Sequence, residues 1–140
     1  MRWRSAPIAP EMPGEIWIVL GSALGGMARY ALSGFVARRF GETFPWGTLI
    51  VNVSGCFVIG AFAALIAPAG PWPGSFTVRT LVLIGLCGGY TTFSSFSLQT
   101  LSLAREGEWR RALGNIVASV TLCYVAAWLG YRASTLFIGG

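Results

Sequence analysis

Aspartate, lysine and histidine are absent from the 140 residues. Without histidine, imidazole chemistry and imidazole metal ligands are excluded. Every cation is one of ten Arg and every anion one of five Glu, so charged groups make up 11% of the chain, where soluble domains carry about a quarter. That scarcity excludes a water-soluble globule, and a net charge of +5 spread over scattered sites does not make a nucleic-acid-binding face. Cysteine is scarce too. Cys56, Cys87 and Cys123 are odd in number, none belongs to a CxxC pair, and each sits in an apolar stretch, so they are expected to pack as small buried apolar residues. With neither a nucleophile and base pair nor a cluster of metal ligands, the chain is not expected to be an enzyme.

What is abundant is apolar length. Hydrophobic residues make up 54% of the chain, with a mean hydropathy of +0.65. A helix needs about 20 mostly apolar residues to cross the hydrocarbon layer. Four windows reach that length, 16–36, 48–67, 78–103 and 112–131. They predict an all-α membrane protein with a single transmembrane domain over 1–140, leaving no room for a soluble domain. The connectors carry turn and charge signals: Arg38, Arg39 and Gly41 to Pro45, then Pro68 to Gly74, then Arg105 to Arg111. Trp3, Trp17, Trp46, Trp72, Trp109 and Trp128 fall near predicted span ends, where an indole keeps its ring in the acyl boundary and its N–H near water. Residues 1–14 hold Arg2 and Arg4 but no apolar core, so a cleavable signal peptide is not expected there. Gly21 with Gly25 and Gly85 with Gly89 are small pairs one turn apart, suited to close helix approach within one chain or between chains.

Four spans put both termini on one side. That side holds Arg2, Arg4, Arg79 and Arg132, and the other holds Arg38, Arg39, Arg105, Arg110 and Arg111. Orientation follows the Lys/Arg excess in short loops, so this near balance predicts dual topology and an antiparallel homodimer.

The third window is longer than a crossing requires, and its middle reads Gly85-Leu86-Cys87-Gly88-Gly89-Tyr90-Thr91-Thr92-Phe93. Glycine and threonine propagate helices poorly, which predicts a broken third helix near Gly88 to Thr92. Broken backbone at membrane depth must lie inside protein or beside an ion or water, and a bound cation is one partner for the freed carbonyls. A glycine-lined close contact is the alternative.

No Glu lies deep in any span, so proton relays and carboxylate cation sites lack their parts. Glu15 reads as a carboxylate at the start of the first helix. Arg29, inside the first span, reads as a snorkelling or structural residue. What remains are neutral groups one turn apart: Thr48 and Asn52, Thr92 and Phe96, Phe93 and Ser97, Asn115 and Ser119. Hydroxyls and an amide can donate to an anion without trapping it, which suits a passive pore. Phe93 and Phe96 can add ring edges, where an aromatic is electropositive. Each residue alone also fits ordinary packing or bonding back to its own helix.

Three blocks carry a resemblance: Gly21 to Tyr30, which ends Ala-Arg-Tyr; Trp46-Gly47-Thr48-Leu49-Ile50-Val51-Asn52-Val53-Ser54-Gly55; and Gly88-Gly89-Tyr90-Thr91-Thr92-Phe93-Ser94-Ser95-Phe96-Ser97. With them the chain resembles the Fluc (CrcB) fluoride channels over nearly its whole length. The resemblance implies an antiparallel homodimer in the inner (plasma) membrane, with two narrow pores that export cytoplasmic fluoride passively down its electrochemical gradient and so lower its toxicity. It further implies Asn52 as the pore amide, Phe93 and Phe96 as the aromatic pair, and Thr48, Ser94, Ser97 and Ser119 as a hydroxyl track. It implies a structural sodium ion at the dimer centre on the backbone carbonyls of Gly88 and Thr91. Gln99 stands where the family commonly has an acid. The competing expectation is a small dual-topology, proton-coupled multidrug exporter, for which Glu15 is the only available carboxylate. A noncatalytic membrane subunit is a third.

Overall fold

The computed structural model describes residues 14–139. The expectations for Trp3, Arg2, Arg4 and the N-terminal segment before Gly14 lie outside the described residues. The first helix, α1 (Gly14–Phe40), has Glu15 in its first turn and Arg38 and Arg39 in its last, both in keeping with the helix dipole. It ends where Gly41 takes φ 77° and donates its N–H to Ala37 O at 2.9 Å. After Pro45 the chain enters α2 (Trp46–Leu65), and a turn around Pro68 to Gly74 follows, held by Trp72 N–H to Leu65 O and Gly74 N–H to Ile66 O, each 3.0 Å.

The third crossing comes in two pieces. Residues 76–90, here α3, begin with a short α-helical turn, continue as a π-helix over Arg79–Cys87, and close with a further turn at Gly88–Tyr90. The second piece is α4 (Phe93–Arg105). Between them Thr91 and Thr92 are extended, with φ −77°, ψ 157° and φ −150°, ψ 114°. Gly88 and Gly89 keep helical geometry, so the interruption falls on the threonines rather than on the glycines. A hydroxyl explains the position: Thr92 Oγ1 accepts the Ser95 N–H at 3.1 Å and caps α4, a role glycine cannot fill. The crossing ends in a Schellman motif at Gly107 (φ 81°), with Gly107 N–H to Ala104 O and Glu108 N–H to Leu103 O. Then α5 (Trp109–Ile138) returns.

Four segments, Gly14–Phe40, Trp46–Leu65, Phe76–Arg105 and Trp109–Ile138, are long and apolar enough to cross a membrane. The first, third and fourth overrun the windows read from the sequence, most of all the last, because Arg132, Ala133, Ser134 and Thr135 continue a helix until Gly139, while the second is shifted two residues toward the N-terminus. Large apolar side chains point outward, among them Leu24, Met27, Val120 and Leu136, as a lipid-facing surface requires.

The inside is packed by small residues. A Cβ built on Gly21 would lie 2.9 Å from Gly85 Cα, and one on Gly89 would lie 2.7 Å from Ser22 Cα, so α1 and α3 meet backbone to backbone. Both small pairs are therefore used within the chain. The helices α2 and α5 meet as closely, with Gly60 against Ala127 and Gly130 against Phe57. Among the cysteines, Cys87 is buried while Cys56 and Cys123 are half-buried, and all three are free.

Candidate functional site

At the extended Thr91–Thr92 link the backbone groups leave the helical ladder and need other partners, since unpaired groups at membrane depth are costly. Asn52 supplies them from α2. Its Oδ1 accepts the Thr92 N–H at 2.8 Å, and its Nδ2 donates to Thr92 O at 3.0 Å. A backbone N–H can only donate, so these two contacts fix which end of the amide is which. The Asn52 NH2 has two protons and Thr92 takes one, so one donor is left over on a residue that lines the groove beside the link.

That groove, about 290 Å3, is lined by Asn52, Thr91, Thr92, Phe93, Phe96 and Ser119, with Cys56, Ile59, Val120 and Cys123. No ionisable Arg or Glu is among them. The rings of Phe93 and Phe96 sit 5.7 Å apart, tilted 46°, within the range of interacting aromatic pairs. Phe93 stands at the rim, 79% exposed.

Ser119 is held from behind by a relay between the last two helices. Its hydroxyl contacts Asn115 Oδ1 at 3.4 Å, Asn115 Nδ2 donates to Thr100 Oγ1 at 2.8 Å, and Thr100 Oγ1 donates to Phe96 O at 2.7 Å. Asn115 is 1% exposed, so its amide is satisfied wholly by protein. The spacing of Asn115 and Ser119 was visible in the sequence, but the part played by Thr100 depends on the register between α4 and α5, which no local pattern reveals.

Four of the residues singled out in the sequence, Asn52, Phe93, Phe96 and Ser119, thus share one groove. Thr48 does not join them. It is buried one turn before Asn52 and lines a separate cavity of about 200 Å3 with Arg29, Ser33, Thr92 and Ser95. Arg29 is half-buried there. Thr48 also borders a larger cavity, about 530 Å3, at the end of the bundle where Glu42, Gln99 and Glu106 gather. The Gln99 Oε1 is buried with no hydrogen-bond partner among the described residues. Ser94 and Ser97 line neither the groove nor these cavities; Ser94 Oγ lies 3.2 Å from Thr92 Oγ1. Among the described residues no group of three or more Cys or Glu could hold a metal ion.

Comparison with known proteins places this arrangement. Residues 16–131 match the family described as CrcB-like protein, Camphor Resistance (CrcB). A Fluoride-specific ion channel FluC of Opitutus terrae is 59% identical over 119 residues, covering 85% of this chain and 90% of the relative. Proteins of the same name from Methylocella silvestris and Rhodospirillum rubrum are 56% identical over 116 residues and 50% identical over 127, covering 83% and 89% of this chain and 88% and 97% of the relatives. With a family match that takes in all four crossings, and relatives this similar along nearly their full length, the chain belongs to the CrcB-like family of membrane proteins.

Proposed function

We propose that the chain is a fluoride-selective channel of the inner (plasma) membrane, not an enzyme, which lets cytoplasmic fluoride leave passively and so limits its toxicity. The observation that carries this is the Asn52 amide, fixed by the Thr92 backbone in the wall of a groove without a charged side chain and left with one N–H to spare. Fluoride holds its water tightly, so a path for it must replace that shell with close donors that bind without trapping. The amide and the electropositive edges of Phe93 and Phe96 offer such donors, the Ser119 hydroxyl joins them by turning its proton from Asn115 Oδ1 into the groove, and the relatives named as fluoride-specific channels support the choice of ion. Thr48, Ser94 and Ser97 are proposed as hydroxyls farther along the route, with Arg29 as a structural residue.

The working unit on this reading is an antiparallel, dual-topology homodimer with two pores. Its support is the balanced arginine count and the exposure of Phe93 at the groove's rim, where a second subunit would close the wall. Gly88 and Thr91 would hold a structural sodium ion at the dimer centre through their carbonyl oxygens. In an unbroken helix those carbonyls would accept from the Thr92 and Ser95 N–H groups. Both N–H groups bond elsewhere, to Asn52 Oδ1 and Thr92 Oγ1, so two oxygens at the break lose their helical donors, and such oxygens suit a hard cation. When bound, the ion would supply positive charge near the anion path.

The multidrug-exporter alternative has little to rest on. It needs a carboxylate deep in the membrane, and Glu15 is exposed in the first turn of α1. The deciding experiment is efflux from proteoliposomes loaded with potassium fluoride or potassium chloride, released with valinomycin and followed with ion-selective electrodes. Rapid fluoride loss with little chloride loss is expected, and equal rates would refute selectivity. Tagged C-termini found on one face only would refute dual topology.

A further inference from the structure

Two of the three cysteines stand in the wall of the groove, and nothing in the proposed conduction route uses them. Cys56 follows Asn52 by one turn on α2, and Cys123 follows Ser119 by one turn on α5. The two helices run parallel and in close contact, with Gly60 against Ala127 one turn farther on. The same sequence spacing separates Asn52 from Ser119, Cys56 from Cys123 and Gly60 from Ala127. The three pairs are therefore successive rungs of one parallel helix pair, and Cys56 and Cys123 occupy the middle rung, both lining the groove. Backbone contact at the Gly60 rung keeps the helices from spreading there.

We infer that Cys56 and Cys123 form a two-sulfur site for soft, closed-shell metal cations of the silver(I) and mercury(II) class, and that an ion bound there obstructs the groove. Thiolates are the ligands such ions prefer over oxygen or amide donors, and two facing sulfurs satisfy a cation that favours two-fold coordination. Binding mercury(II) from its chloride forms two S–Hg bonds, breaks the two S–H and two Hg–Cl bonds and releases two protons and two chloride ions to solvent, with no change of oxidation state. The metal deprotonates the sulfurs as it binds, so a thiol in apolar surroundings can still serve. Cys87 lies outside this groove, buried on α3, and is the internal control.

The site itself stands on geometry alone, while obstruction of fluoride rests on the channel function proposed above. The experiment therefore reads metal binding and ion flux separately. Purified full-length protein is titrated with mercury(II) chloride while the S–Hg charge-transfer absorbance is followed, and proteolytic fragments of the loaded parent are weighed. The expected result is about one mercury per subunit, bridging the fragments that contain Cys56 and Cys123, with two protons lost. The absorbance step should vanish in the Cys56→Ser/Cys123→Ser variant, which retains Cys87. In proteoliposomes the same dose should cut fluoride efflux of the parent at least tenfold, dithiothreitol should restore it, and the double variant should keep more than half of its own untreated rate. An undiminished absorbance step in the double variant, or mercury found on the Cys87 fragment, would overturn the site. Full efflux from parent with the bridge formed would overturn the obstruction. Fragment masses come from the unmodified parent, so a variant that fails to fold does not protect the inference. A parent that conducts no fluoride before treatment would refute the channel function while leaving the titration to decide the thiol site.

Discussion

Replacing Asn52 by Asp changes almost nothing in shape and nearly everything in charge. One carboxylate oxygen can still accept the Thr92 N–H, now with a full negative charge behind it, so the bond at 2.8 Å survives. The other oxygen faces the Thr92 carbonyl across a gap that the amide bridged at 3.0 Å, and the spare donor of the amide is gone. The loss of one neutral hydrogen bond to Thr92, itself only 7% exposed, costs about 1–3 kcal/mol, which a well-packed bundle can absorb. The effect on an anion is larger. At about 5 Å and an effective dielectric constant of about 20, a unit charge repels fluoride by about 3 kcal/mol. Since every 1.4 kcal/mol is tenfold, fluoride flux should fall roughly a hundredfold or more. The assay is valinomycin-driven fluoride efflux from liposomes, with size-exclusion elution of the same preparation as the check on assembly. An Asn52→Asp protein that elutes like the parent and conducts within threefold of it would remove Asn52 from the pathway.

Phe93→Ile keeps apolar bulk but deletes the ring edge and the pair with Phe96, an interaction of about 0.5–1.5 kcal/mol, so flux should drop up to about tenfold with assembly intact; parental flux would exclude the aromatic role. Thr92→Val removes the hydroxyl that caps α4, at a cost of about 0.5–2 kcal/mol, and should lower the temperature at which detergent-solubilised protein loses its elution peak. An unshifted temperature would show that the cap does not hold the break. Gly25→Ala drives a methyl group into the Leu86 carbonyl, and overpacking of this kind costs about 1–3 kcal/mol, so the folded yield should fall. Parental yield and thermal behaviour would contradict backbone contact between α1 and α3.

The four crossings could be read from the sequence because apolar length is a local property, and their ends could not because polar residues near an end still continue a helix. Arg38, Arg39 and the stretch from Arg132 to Thr135 are helical for that reason. The π-helical winding of Arg79–Cys87 leaves no trace in composition; Arg79-Thr80-Leu81-Val82-Leu83 would serve an α-helix equally well. One-turn spacing told correctly that Asn52 and Thr48 share a face of α2, yet a face spans several neighbours, and one turn was enough to send Thr48 to the cavity beside Arg29. The relay from Ser119 through Asn115 and Thr100 needs two helices in register, and register is a tertiary fact. Composition marked Gly88 to Thr92 as weak without choosing between glycines and threonines, whereas contact with α1 holds Gly89 in a helix and the hydroxyl cap of Thr92 sets where the chain opens.

The Asn52 amide grips main chain at both of its ends, as one strand grips another along a sheet edge. Its aim is thereby independent of whichever side chain residue 92 carries. Mutation at that position can loosen the start of the following helix without swinging the amide, which separates the upkeep of the scaffold from the placing of the amide.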